Sequence, residues 1–157
     1  MTDQAVEVAV TFDKAYTIKE IAELVPDNLM INWYWIGSSS NYDTAELTAD
    51  AQLGLTAYDG TEPSQSDLET FKENLNSALS KGYLDRTYDR DSDISLNLVD
   101  DARTYLETSD SQEKMTFSGL ILTGRAENFK SLQNASWIFG SNLGQSVIIQ
   151  PYHTLSK

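Results

Sequence analysis

The chain has 157 residues, 24 of them acidic and 11 basic, with a net charge of −13 and no cysteine. The length fits one domain over residues 1–157, and an apolar fraction of 40% is enough to build a hydrophobic core. The charge opposes phosphate backbones, so no nucleic-acid partner is expected, and the missing thiols exclude disulfides, thiol catalysis and cysteine-ligated zinc.

No apolar run approaches the roughly 20 residues that cross a bilayer. The opening MTDQAVEVAV lacks the basic flank of a signal peptide. The stretch reads as soluble on its own and leaves room for a membrane segment upstream. Along the chain, VEVAVTF alternates Val6, Val8, Val10 and Phe12 against Glu7, Ala9 and Thr11, which is the period of a strand. Thr17 and Glu20 then have capping-box spacing, Ile18, Ile21, Ala22, Leu24 and Val25 give a helical apolar stripe, and Pro26 stops it. NLMINWYWIG follows as a second strand. Regular alternation puts Ile31, Trp33 and Trp35 on one side and Met30, Asn32, Tyr34 and Ile36 on the other, and the large apolar area of the two indoles assigns their side to the core rather than to a ligand groove. Strand, helix and strand within 37 residues make a unit of βαβ size.

After the polar loop SSSNYDTAELTAD, Leu53, Leu55 and Ala57 alternate as a third strand, and DGTEPSQS is a turn by composition. SDLETFKENLNSALSKGY is the clearest helix. Ser66 and Glu69 form a capping box, Leu68, Phe71, Leu75, Ala78 and Leu79 share a face, and Gly82 stands where a left-handed cap belongs. ISLNLVDDARTYLETSD carries Leu98, Val99, Ala102, Tyr105 and Leu106 at helical spacing. In MTFSGLILTG, Met115, Phe117, Gly119 and Ile121 face one way and Leu120 and Leu122 the other, which predicts a central strand. TGRAENFKSLQNA is a short helix capped near Thr123, with Phe129 and Leu132 as its apolar contacts. WIFGSNLGQSVIIQPYH is strand material, bent or bulged at Gly140 and Gly144. The first and last thirds share one plan, which predicts an α+β fold: two βαβ-type units in one mainly antiparallel or mixed sheet, a ferredoxin-like variant with helices packed on it.

Chemistry-bearing patterns are sparse. DRDSDISLNLVD places Asp89, Asp91, Asp93 and Asp100 at positions one, three, five and twelve of a calcium loop, with Ser95 and Asn97 at seven and nine. Against this, the turn position that requires glycine is Ile94, and Arg86 and Arg90 are near enough to pair with the acids. The competing reading is a solvated acidic linker with Ser92 or Asp93 as the cap of the next helix. His153 is the lone histidine, no G-x-S-x-G occurs, and the P-loop and dinucleotide fingerprints are missing. A carboxylate pair is defined by separation in space, which the acids of a sequence do not give.

Two blocks carry a resemblance. Phe12, Asp13, Lys14, Tyr16 and Thr17, followed by Trp33, Tyr34 and Trp35, form a strand, an F-D-K-x-Y-[ST] turn, a short helix and a W-Y-W strand. Thr123, Gly124, Lys130, Leu132, Ser141 and Gly144 form a closing block, and the stretch from Ser38 to Lys114 matches little. The pattern resembles the sigma factor regulator C-terminal domain of Gram-positive bacteria. That resemblance implies the extracytoplasmic, non-enzymatic part of a membrane-anchored, anti-sigma-factor-like regulator, without cofactor or catalytic residues. It also implies that the sigma factor is reached only through a missing cytoplasmic segment, and the membrane only through a missing upstream anchor. What this part itself would meet is a protein or an envelope ligand. The matched residues read as fold-setting, with Tyr16 placed for a hydrophobic staple against Ile21. Asp13 is open to capping, to pairing with Lys14 or to reaching a partner. The alternatives are a surface or secreted hydrolase acting through carboxylates, and a calcium-stabilised structural domain.

Overall fold

The structure, a computed structural model, describes residues 3–37, 52–85, 87–91 and 94–149. In chain order the strands and α-helices are β1 (Gln4–Thr17), α1 (Ile18–Leu24), β2 (Met30–Trp35), β3 (Gly54–Thr56), α2 (Gln65–Ser80), β4 (Thr87–Asp91), β5 (Ile94–Asn97), α3 (Leu98–Thr108), β6 (Thr116–Arg125) and β7 (Ile138–Ile148). A 3-10 segment, Ala126–Leu132, joins the last two strands. Five strands form one sheet in the order β3-β2-β6-β1-β7, and β4 and β5 form a separate hairpin. Every neighbouring pair in the sheet is antiparallel. Since β6 opposes both β1 and β2, those two run parallel with β6 between them. By the same logic β6 and β7 run parallel on either side of β1. These are two interlocked split βαβ units, as the shared plan of the chain's ends predicts, with β3, α2, the hairpin and α3 inserted between them.

The local signals explain the helices. Thr17 caps α1, accepting from the Glu20 N–H at 3.3 Å while Glu20 accepts from the Thr17 N–H at 2.8 Å. Gly82 ends α2 at φ +70°, with the Tyr83 N–H on the Ala78 carbonyl at 3.0 Å and the Gly82 N–H on the Leu79 carbonyl at 3.2 Å, the paired bonds of a Schellman cap. The start of α2 differs from the expectation. The box is Ser64 with Asp67 rather than Ser66 with Glu69. The sequence offers two overlapping boxes, and the earlier one alone puts an apolar pair, Pro63 and Leu68, at the positions of a hydrophobic staple; both are buried.

The core lies on the helical face of the sheet. Val10, Tyr34, Phe117, Leu120 and Leu122 from the strands join Ile21 of α1, Leu68 of α2 and Tyr105 of α3 in one buried cluster. This corrects the assignment of Trp33 and Trp35 to the core. Tyr34 is the buried residue, 1% exposed, and the two indoles are half-buried on the other face. The ladder to β6 pairs Ile31 with Leu122 and then Trp33 with Ile121, so Asn32 is an extra residue. That bulge moves Ile31 to the side of Tyr34 and away from the tryptophans. The Trp33 ring lies on Gly54, and the Trp35 ring on Gly119, where an added Cβ would come within 3.1 Å of it.

β6 is central, as expected, but its faces also shift. Phe117 is buried together with Leu120 and Leu122 rather than opposite them. The ladder with β1 jumps from Thr11–Gly119 to Tyr16–Phe117, leaving residues 12–15 without a partner in β6, and this break changes the phase. The linker after β6 is a 3-10 segment with Arg125 at its start and no side-chain cap, whereas Thr123 lies inside β6 and accepts from Asn32 Nδ2 at 2.9 Å. In β7 the ladder with β1 is irregular beside both Gly140 and Gly144.

Candidate functional site

Residues 12–15, which leave the β6 ladder while Phe12 pairs with Ile138 of β7, bring the two sequence blocks together. Phe12 meets the Tyr16 ring edge-on at 5.3 Å between centroids and the Trp137 ring at 5.7 Å. The Asp13 N–H donates to the Trp137 carbonyl at 3.0 Å, so the first strand and the approach to the last are stitched at this corner. The Tyr16 hydroxyl donates to Asp13 Oδ1 at 2.7 Å. That bond, with burial and the negative charge of Asp13 behind it, pushes the Tyr16 phenol up to about 12. Lys14 Nζ sits 5.1 Å from the centre of the same ring. Asp13 thus serves as the acceptor that fixes Tyr16, and Tyr16 and Ile21 share the core cluster.

The other matched residues are dispersed over the fold, with Lys130 and Ser141 exposed. A Cβ at Gly124 would lie 2.7 Å from Leu29 Cδ2, and one at Gly144 would lie 2.8 Å from Glu7 Oε1. Both glycines therefore stand where the chain passes close to a neighbour. The residues of the calcium pattern do not wind as one loop. Asp89 and Asp91 belong to β4, where they pair across the hairpin with Ser95 and Ile94. Asp93 lies outside the described residues, and Asp100 is in the first turn of α3.

A second locality was not marked by the sequence reading. Between α3 and the ends of β2 and β6 runs a cleft of about 280 Å³, lined by Ile36, Asp101, Tyr105, Ser109, Lys114 and Thr116 among others. Among the described residues, Asp101 and Ser109 are the buried polar ones, at 6% and 7% exposure. The Tyr105 hydroxyl is buried there without a well-formed hydrogen bond to any described residue. Burial pushes its phenol up to about 12, and the nearby Ser109 hydroxyl offsets part of that rise. At the rim, Lys114 Nζ lies 3.0 Å from Asp110 and holds that carboxyl below its ordinary range. Tyr105, Ser109, Asp101 and Lys114 thus line one cleft, the first three buried in its wall and the ammonium at its rim on Asp110. One signal was present in the sequence. Asp101 shares the apolar face of α3 with Leu98, Ala102 and Tyr105, and a carboxylate on a buried stripe calls for an explanation.

Among the described residues, no helix is long and apolar enough to cross a membrane. No curated protein and no solved structure matches the chain. The model of the family described as sigma factor regulator C-terminal matches residues 1–145, which take in the aromatic corner, the cleft and most of the five-stranded sheet. The chain belongs to the sigma factor regulator C-terminal family.

Proposed function

We propose that this is the outer, signal-receiving domain of a membrane-anchored sigma factor regulator in a Gram-positive bacterium, and that it works by binding a protein or an envelope ligand rather than by catalysis. The observation that carries the reading is the family pattern over residues 1–145. It supports a role in sigma factor control for nearly the whole chain; in this reading, contact with the sigma factor belongs to a segment upstream.

The topology suits a tethered receiver. A tether before β1 enters the sheet at the end where Gln4 pairs with Ile148 and the Asp3 carbonyl accepts the Ile149 N–H at 2.8 Å. β1 is held by β6 on one side and β7 on the other, so a change in the sheet reaches the tether through a strand that cannot fray alone. In this reading the signal enters at the α3 cleft, because buried polar side chains line it beneath a charged rim. A ligand there transmits only if it binds two arrangements of the sheet unequally.

The test uses the full-length regulator in its native host with a reporter driven by the cognate sigma factor. Removing residues 1–157 while keeping all that precedes them should change reporter output several-fold and abolish its response to the inducing condition. Unchanged output and an intact response would sink the reading.

A further inference from the structure

The two edges of the sheet are unlike. β3 is three residues long and exposes little backbone, which is one of the ways proteins blunt an edge. β7 is eleven residues long and stands at the end of the sheet, with no strand beyond it among the described residues. Irregularities beside Gly140 and Gly144 are the one guard its sequence carries; it has no proline and no charge. From Ser131 to Ser156 the sequence has no Asp, Glu, Lys or Arg, although the whole chain carries a net charge of −13. Of the six large hydrophobics exposed among the described residues, four lie on this strand: Phe139 at 82%, Leu143 at 62%, Val147 at 62% and Ile148 at 70%.

We infer that β7 is a self-pairing edge, through which two copies of this chain join their sheets antiparallel about a two-fold axis at Leu143. Two arguments select a second copy over other occupants. The first is charge. Two bodies as acidic as this repel over most of their surface, and the uncharged strand is where they approach without setting acid against acid. The second is the symmetry of the apolar positions. In the antiparallel register centred on Leu143, Leu143 meets itself, Phe139 of one copy meets Val147 of the other, and Ile138 meets Ile148, all by sequence spacing. A two-fold interface requires that kind of self-complementarity. Both tethers would then leave from near the outer ends of the paired strands, since Gln4 pairs with Ile148.

Sedimentation equilibrium of the 157-residue chain should return twice the chain mass of 17.5 kDa. Association should strengthen as salt rises, because salt screens the repulsion between the acidic bodies. Leu143→Lys and Leu143→Glu should each be monomeric, since each sets like charges against each other on the axis. Their equal mixture should recover the dimer, which a general loss of folding would not do. Circular dichroism melts of both variants serve as the folding check, and Leu143 is exposed enough to tolerate either change. A wild-type chain that stays monomeric overturns the inference, as do single variants that remain dimeric or a mixture that stays monomeric. If a monomeric chain dimerises only after residues 150–157 are removed, the edge is occupied by the chain's own end, which equally overturns it.

Discussion

In the first split unit, α1 carries Ile18 and Ile21 into the core, is fixed by a reciprocal cap at Thr17 and Glu20, and covers the sheet where β1 and β2 begin and end their crossover. In the second, the matching place is taken by the 3-10 segment Ala126–Leu132, which buries no side chain fully and has no side-chain cap. β7 beyond it is exposed from Phe139 to Ile148 except at Gly140. Between this thin cover and β7 an apolar groove of about 280 Å³ remains, lined by Val8, Val10, Phe129, Leu132, Ile138 and Leu143. The same topological unit is thus used once to close a core and once to leave a surface. A 3-10 turn is short and its side chains eclipse, so it supplies less cover than an α-helix of similar length.

One side chain ties the thin half to the thick one. Beyond β6, Trp137 is the buried residue among those described, wedged against Phe12. Trp137→Ala should therefore have the largest effect, lowering stability by about 3–5 kcal/mol in chemical denaturation. A cost below about 1 kcal/mol would mean that the two units are held by strand pairing alone. The covers themselves can be compared directly. Ile21→Ala, at 0% exposure in α1, should cost about 2–5 kcal/mol. Leu132→Ala, half-buried in the 3-10 segment, should cost about 1 kcal/mol. Equal costs would break the contrast between the halves.

The caps sharpen it further. Thr17→Ala should cost about 1 kcal/mol, and the 3-10 segment offers no equivalent side chain to remove. The Glu20 carboxyl is held below its ordinary range, first by the Thr17 backbone N–H and then by the Thr17 hydroxyl. Its folded value lies below its unfolded one, so its contribution is complete above about pH 4.3 and disappears as pH falls through the lower, folded value. Thermal melts of the wild type and of Glu20→Gln should differ at neutral pH and converge in acid. A gap that stays constant down to low pH would mean that the carboxylate contributes no charge-dependent bond.

What could be read from the sequence was local. The Thr17 cap and the Schellman end at Gly82 depend on residues within a few positions of each other, and the strand plan was legible from the local alternation and order of its elements. What could not be read depended on a partner strand. Asn32 is a bulge only because Ile31 and Trp33 pair with adjacent residues of β6, and the phase of Phe117 depends on where β1 leaves the β6 ladder. Each such slip turns side chains to the other face, which is why Tyr34 rather than Trp33 and Trp35 fills the core. The α3 cleft was half-legible. The carboxylate of Asp101 was visible on an apolar stripe, but that it lines one cleft with Lys114 and Thr116 is a product of the fold.

The smallest expected effect tests the exposed half most sharply. Phe139 is 82% exposed, so Phe139→Ser should change the stability of the monomer by no more than about 0.5 kcal/mol. The measurement belongs at dilution, because association would add its own contribution to any melt. A large aromatic that contributes almost nothing to folding has another physical consequence where copies meet: it removes apolar area from water only on contact. The same variant should therefore weaken self-association at high concentration while leaving the dilute melt untouched. If instead Phe139→Ser destabilises the dilute chain as much as Trp137→Ala does, something within the chain covers β7, and the two halves of the sheet are alike after all.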